Sequence, residues 1–448
     1  MLHGLVCDGQ GKKMSKSRGN VVDPLNVITG RSIKDLEEDF KITAQGLMSD
    51  KDIQKTVKVL KTTFPSGIPK CGTDALRFSL VHNDPKSQQV NVDVNFIYTC
   101  AAFCNKIWQA TRFFLLSHER VKDAGPNYSF NINEACNLDW IISNYDTLRP
   151  EDKWILSQYA TTVKDVNCYL EHRDFHLVAR SLRSFLYTNL CDVYVEASKP
   201  SLLDINRKDF KLKYAVLKVL IMDALKLLHP IMPYITEELY QRLLYVTSLQ
   251  TCTDVSKSIM MTRYPKDEDW EYFINENITN DIECVLEIVS DIRNTKKIFN
   301  LKRSINPNII IVCDDESHSV NLLDQNKIIE VQELISTLSP CGNVVIVSKE
   351  KLNSVAKSDN ENIVQNWWKT DLESGNITVY LDTADFIDVE QELNKISSQR
   401  KKTLENIETL NRQNVKLVDN LTNAKIDSFN SEIGLLNERE LFLKKIKR

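Results

Sequence analysis

Leu156, Tyr159, Val163, Val166 and Leu170 step by three and four residues, as one buried face of an α-helix requires. Val178, Leu182 and Phe185 continue the pattern in a second helix, and Leu217, Ile221, Ala224 and Leu228 in a third. His229-Pro230-Ile231-Met232-Pro233 then kinks the chain. Thr236-Glu237-Glu238-Leu239 opens a fourth helix, with two carboxylates in its first turn. Four such helices make an antiparallel bundle. The chain has 448 residues, too many for one core, so about three domains are expected.

Upstream of the bundle, Asp23-Pro24 reads as an N-cap with proline at the first helical position, and that helix ends near Gly30. Ser32 and Ser49 cap two further helices, with Leu36 and Phe40, then Ile53, Val57 and Leu60, on their apolar faces. Thr73 or Asp74 is expected to cap a helix that carries Leu76 and Leu80 inward. Val90 to Val94 alternates like a short strand, and Ile97, Ala101, Cys104 and Trp108 mark a long helix. Residues 121–150 read as a connector.

Downstream, Asp281 to Asn300 is amphipathic, with Ile282, Val285, Ile288 and Ile292 inward. Asn308 to Val312, Asn343 to Val347 and Ile377 to Leu381 look like strands, and Ile328 to Leu338 like a helix, which together suggest a small α/β unit. Residues 350–370 are polar and read as a loop despite Trp367-Trp368. In the last sixty residues, Val389, Leu393, Ile396, Leu404, Ile407 and Leu410 form one stripe. Ile426, Phe429, Ile433, Leu436 and Leu443 form another, so an antiparallel helical hairpin with a coiled-coil-like seam is expected.

Near the front, Gly11-Lys12-Lys13-Met14-Ser15-Lys16-Ser17-Arg18-Gly19-Asn20 brackets a basic, hydroxyl-rich loop with glycines. Glycines open backbone amides to an anion, and lysines place positive charge where a polyphosphate accumulates negative charge. Composition alone allows a solvated basic turn, but the helix start at Asp23-Pro24 pins this loop to a rigid element. Met1 to Val6 reads as a short buried strand with no partner before it, as if the sequence began inside a domain.

The net charge is −4, so any RNA must be held by local basic patches and not by a basic coat. Eleven cysteines lack paired metal spacing, and Cys100 and Cys104, one helical turn apart, read as core. They are taken as reduced thiols in an intracellular compartment, with no metal site expected. The sequence has no signal-peptide pattern and no apolar run of membrane length, so no membrane partner is expected.

Lys13-Met14-Ser15-Lys16-Ser17 is similar, letter for letter, to the signature loop of class I aminoacyl-tRNA synthetases. The flanks Met1-Leu2-His3-Gly4 and Asn20-Val21-Val22-Asp23-Pro24, with Gly67 to Phe78 and Asn105-Lys106-Ile107-Trp108, resemble the valyl family. Cys191 to Pro200 and Leu228 to Leu239 resemble the anticodon-binding bundle of the valine, isoleucine and leucine enzymes. Phe386 to Leu393 resembles the start of the C-terminal arm of valyl-tRNA synthetases, although the arm's usual proline-containing segment is missing after Lys425.

The resemblance implies a C-terminal half that is mainly α. It would hold the tail of a class I Rossmann-type catalytic domain with its KMSKS loop and connecting helices (1–120), a connector (121–150) and an anticodon-binding helical bundle (151–300). A small α/β unit (301–384) and a coiled-coil tRNA-binding arm (385–448) would follow. It implies ATP-dependent aminoacylation of tRNA(Val) with valine, Mg2+ accompanying the ATP, a monomer, and a cytoplasmic or mitochondrial location. The loop residues Lys13, Met14, Ser15, Lys16 and Ser17 would bind ATP, with Lys13 and Lys16 stabilising the departing pyrophosphate. Candidate tRNA contacts are Arg293, Lys296 and Lys297 at one helix end, and Lys401, Lys402, Arg412 and Lys416 on the hairpin, with Lys395 and Arg400 beside them. Arg173, Arg180, Arg183 and Lys199 are candidates on the bundle. The missing amino-terminal half would carry the His-x-Gly-His motif. The alternatives are a non-catalytic tRNA-binding protein built from the same helices, and an isoleucyl-tRNA synthetase.

Overall fold

The computed structural model describes residues 4–15, 20–45, 48–123, 137–247, 257–302, 304–313, 328–349, 367–372, 377–414 and 420–446. The chain divides into two compact units, Met1–Thr279 and Asn280–Arg448. That division falls inside the segment 151–300 expected for the bundle.

The first unit opens with strand β1 (Leu5–Asp8), which pairs in parallel with β2 (Gln89–Val92), Cys7 lying opposite Asn91. The partner of the first strand is therefore supplied from downstream. The strand is not buried throughout, as the sequence suggested: Cys7 is fully enclosed, but Leu5 is 48% and Val6 37% exposed. Gly4 lets the backbones close, since a Cβ there would lie 2.2 Å from the Ser87 carbonyl oxygen.

Between these strands run α1 (Pro24–Thr29), α2 (Ile33–Ala44), α3 (Asp50–Thr63) and α4 (Thr73–Val81). Asp23, Ser32 and Ser49 cap the first three through their side chains, as their residue types favour. The fourth differs from expectation. Gly72 occupies its N-cap with φ 86 and neither Thr73 nor Asp74 caps it. Leu80 is 44% exposed, while Ala75 and Phe78 are buried in its place.

Helix α5 (Val94–Asp123) buries Ile97, Cys100, Phe103 and Ile107, so the stripe runs one position off Ala101, Cys104 and Trp108. Burial pushes the Cys100 thiol up to about 11 and the Cys104 thiol up to about 12. The expected connector is partly regular, because α5 runs into it and α6 (Leu138–Ser143) buries Ile141.

The bundle consists of α7 (Pro150–Glu171), a long helical run from Phe175 to Leu203, α8 (Phe210–Leu228) and α9 (Pro233–Val246). The long run changes character at Ser184–Tyr194, which is a π-helix. The apolar spacing there reads equally as α. Helix α9 starts three residues before Thr236, so its first turn holds no acidic residue. Glu237 instead accepts from Ser258 Oγ at 2.9 Å and from the Ile259 amide at 3.2 Å.

A buried ionic cluster ties the bundle together. Lys213 Nζ donates to Glu151 Oε1 at 2.7 Å and Asp152 Oδ1 at 2.8 Å, and Tyr194 Oη donates to Asp152 Oδ1 at 2.7 Å. Burial works against the ammonium, but the two carboxylates outweigh it and hold Lys213 above the ordinary lysine range. The same desolvation raises Asp152, whereas Glu151, faced by Lys213 and Arg149, is held below its ordinary value against it.

The second unit carries most of helix α10 (Glu276–Ile298), with Ile282, Val285, Ile288 and Ile292 buried. A four-stranded sheet has β3 (Ile309–Cys313) parallel to β4 (Val344–Ser348) and antiparallel to β6 (Ile377–Leu381), which pairs antiparallel with β5 (Trp368–Asp371). Helix α11 (Ile328–Leu338) joins β3 to β4 in sequence. The end of the expected 350–370 loop is thus an edge strand. Trp368 packs edge-on to Phe299 and Phe442, centroids 5.1 Å away in each case, and that burial fixes the strand.

Helices α12 (Val389–Asn414) and α13 (Asn420–Ile446) form the antiparallel hairpin. Ile396, Leu436 and Leu443 are buried as expected. Leu404 is 47% exposed, and the seam passes through Thr403, one heptad beyond Ile396. Glu392 with Arg439 (2.9 Å) and Arg400 with Glu440 (2.8 Å) bridge the two arms.

Candidate functional site

The loop grows out of β1 through a short hairpin. Asp8-Gly9-Gln10-Gly11 is a turn sequence, and Gly11 takes φ 77, a left-handed conformation suited to glycine. The Asp8 amide donates to the Lys12 carbonyl at 2.9 Å, and Cys7 bridges Lys13 in antiparallel fashion. Lys13 is exposed, and Met14 and Ser15 are half-buried. Lys16, Ser17, Arg18 and Gly19 lie outside the described residues.

Asp8, which sequence reading did not single out, and Asn20, read there only as the end of the loop and the start of the flank, close the loop's neck. Asn20 Nδ2 donates to Asp8 Oδ2 at 2.8 Å and to the Lys13 carbonyl at 3.2 Å, while Asn20 Oδ1 accepts from the Ser15 amide at 3.0 Å. Asp8 Oδ1 also accepts from the amides of Lys12 (2.9 Å) and Gln10 (3.0 Å). Burial opposes the Asp8 charge, but these donors hold its carboxyl below the ordinary value. The Asp8-Gly9 dipeptide is a turn signal that could have marked Asp8. Nothing in spacing pointed to Asn20.

The neck clasp carries a prediction. A depressed folded pKa stabilises above the ordinary aspartate pKa of about 3.9 and is lost as pH falls through the lower folded value. Tryptic cleavage at Lys12 and Lys13 is expected to accelerate in Asn20→Ala at neutral pH. Unchanged cleavage would remove Asn20 from the clasp.

Helix α4 sits beside β2 in the chain and reaches the bundle. Asp74 accepts from the Ile235 amide at 2.6 Å and the Tyr234 amide at 3.4 Å, so it caps α9 and not its own helix. Arg77 donates to the Ile231 carbonyl at 3.0 Å and the Pro230 carbonyl at 3.3 Å. The pair grips both sides of the His229 to Pro233 turn. Burial pushes the Asp74 carboxyl up although the two amides oppose it. Asp74→Ala is expected to cost about 1–2 kcal/mol in urea unfolding, as loss of a cap does, with Asp74→Asn milder because it keeps an acceptor. Equal losses would show that acceptance is not what Asp74 supplies.

The candidate RNA contacts fall into distinct groups. Arg293 donates to the Leu338 carbonyl at 2.5 Å and Lys296 donates to the Pro340 carbonyl, so both tie α10 to the end of α11. Lys297, Lys401 and Lys402 are exposed. Lys395 pairs with Glu392 at 2.5 Å, and Arg400 bridges to Glu440. The side chain of Arg412 and all of Lys416 lie outside the described residues. On the bundle, Lys199 pairs with Glu196 at 2.5 Å and Arg173 ends α7 with φ 60. Arg180 and Arg183 have no carboxylate partner among the described residues. Arg183 lies over Phe96 and Tyr187, 5.7 and 5.9 Å from the ring centroids. Burial and then these two arginines hold nearby His82 below its ordinary pKa.

Among the described residues no group of three or more histidine, cysteine or acidic side chains could hold a metal ion, and no helix is long and apolar enough to cross a membrane.

Residues 1–93 match the family described as tRNA synthetases class I (I, L, M and V), and residues 152–311 match the anticodon-binding domain of tRNA ligase. The chain belongs to the class I tRNA synthetases. Valine–tRNA ligases are among its relatives. The Caenorhabditis elegans valine–tRNA ligase is 30% identical over 403 residues, covering 90% of this chain and 35% of the relative. The Saccharomyces cerevisiae mitochondrial valine–tRNA ligase is 33% identical over 349 residues, 77% of this chain and 28% of the relative. The Mus musculus mitochondrial valine–tRNA ligase is 28% identical over 446 residues, 100% of this chain and 38% of the relative. The chain thus spans about a third of the length of the curated relatives it matches.

Proposed function

We propose that this chain supplies the phosphate-binding loop and the tRNA-holding helices of a valine–tRNA ligase. The observation that carries the reading is the Lys13-Met14-Ser15-Lys16-Ser17 string, set on a hairpin at the end of β1 and closed at its neck by Asp8 and Asn20. Asp8 and Asn20 fix the two ends between which the lysine-serine string meets a nucleotide. Its lysines then face the triphosphate of ATP, with Mg2+ sharing the charge. Valine attacks the α-phosphorus, pyrophosphate departs, and the valyl group passes to the 3′ end of tRNA(Val). Lys13 and Lys16 stabilise the charge that builds on the leaving group, and Met14, Ser15 and Ser17 complete the ATP contact.

The division of labour follows the same reading: residues 1–120 serve the nucleotide, 151–300 the anticodon, 301–384 form the α/β unit and 385–448 the tRNA arm. Lys297, Lys401, Lys402, Arg412 and Lys416 take RNA phosphates. Arg293 and Lys296 take them only with the charge left after holding α11's end. The protein acts as a monomer, in the cytoplasm or the mitochondrion.

The test is tRNA selection. The chain is expected to bind a transcript of tRNA(Val) at least about tenfold more tightly than tRNA(Ile) or tRNA(Leu), with binding that weakens steeply as salt rises. Arg183→Ala is expected to reduce the salt slope by about one phosphate contact. Equal binding to all three tRNAs would overturn the valine assignment, and absence of tRNA binding would overturn the reading as a whole.

A further inference from the structure

A polar groove of about 380 Å³ runs between α7 and the π-helical stretch that follows Phe175–Arg183, within the range expected for small-ligand sites. Ser184 and Asn189 both line it although they are five residues apart. An α-helix would turn them to different sides, whereas the i→i+5 bonding of a π-helix stacks them. The unusual helix geometry is thus what puts Asn189 in the groove.

The groove's hydrogen-bonding groups are only partly used. Asn189 Nδ2 donates to Gln158 Oε1 at 3.0 Å, which leaves the Gln158 amide N–H donors and the Asn189 carbonyl oxygen unspent. Asp165 is half-buried; the adjacent Lys164 favours its charge, but no ion pair or hydrogen bond engages the carboxylate among the described residues. Phe185 closes the floor and Tyr169 lines the wall. A donor, two acceptors and ring surfaces within one groove suit a flat heterocycle that offers an amino group. Arg180 also lines the groove and has no carboxylate of its own, so a phosphate beside the heterocycle has a counter-charge.

We propose that this groove takes one unstacked RNA base bearing an exocyclic amino group, with Asp165 and Asn189 accepting from it and Gln158 donating to it. The proposal rests on the reading of this chain as a tRNA-binding synthetase segment. A carboxylate facing the base disfavours uridine, whose Watson–Crick edge offers two carbonyls and a single N–H.

The experiment uses the full chain and a tRNA(Val) transcript, with Kd measured across salt concentrations. Gln158→Ala, Asn189→Ala and Asp165→Asn are each expected to weaken binding about tenfold with the salt slope unchanged, because no phosphate contact is lost. Asp165→Asn keeps the side-chain shape and separates this effect from misfolding. Transcripts with single abasic sites are then bound to wild type and variants. At one unpaired position the abasic loss is expected to vanish in all three variants. Variants that bind tRNA(Val) like wild type, or abasic losses that stay additive at every position, would overturn the groove while leaving the tRNA reading intact. A wild-type chain that bound no tRNA would overturn both.

Discussion

Lys213→Ala is expected to destabilise the first unit by about 3–5 kcal/mol, because it strands two carboxylates in the core. Lys213 is fully buried, and it is the shared donor to Glu151 and Asp152. Lys213→Met fills the volume without the charge and is expected to fall almost as far. Adding Glu151→Gln and Asp152→Asn to Lys213→Met is expected to recover most of the loss, since the cost lies in unpaired buried charge and not in the missing attraction. Urea unfolding checks all three variants. A small loss in Lys213→Met, or no recovery in the triple variant, would show that this cluster is not held by charge pairing. The pH dependence has a definite sign. The raised lysine contributes fully below about pH 10.4, its ordinary pKa, and loses that contribution as pH climbs through the folded value. Wild type is therefore expected to soften at strongly alkaline pH, and Lys213→Met is not.

If the chain serves a valine–tRNA ligase as proposed, Lys16→Ala in that ligase is expected to lower the rate of valine-dependent ATP–pyrophosphate exchange about 10²- to 10³-fold, the usual loss when one charge stabiliser leaves a nucleotidyl-transfer site. Lys13→Ala is expected to act in the same direction, and Lys12→Ala to leave the rate nearly unchanged. Lys12 Nζ is bound to Gln10 Oε1 at 3.2 Å, back along the hairpin. KM for valine is expected to move little, because the charge these lysines meet develops in the transition state. An unaltered rate in Lys16→Ala would end the assignment of this loop to pyrophosphate departure.

Much of the helical architecture was readable because local signals and buried faces agreed. Ser32, Ser49 and Asp23 cap where their types favour capping, and Ile282, Val285, Ile288 and Ile292 lie inward as their spacing requires. The misreadings came where a partner distant in sequence decides the outcome. Asp74 has the look of a local cap, but serves amides 160 and 161 residues away. Trp368 sits in a polar stretch and becomes strand because Phe299 and Phe442 cover it. Leu404 and Thr403 exchange places because the hairpin seam keeps a seven-residue interval. In the candidate site, the lysine-serine string was legible from residue identity alone. The clasp that closes its neck joins Asp8 to Asn20 across twelve residues, and no periodicity records it.

The grip of Asp74 and Arg77 on the turn before α9 bears on how chains of this family can be recombined. A chimera cut between α5 and α7 would exchange one helical bundle for another, yet it would part these two side chains from the backbone they hold. A working exchange has to carry residues 74–77 and 229–235 from the same parent, so the natural unit of inheritance here is larger than the helical bundle.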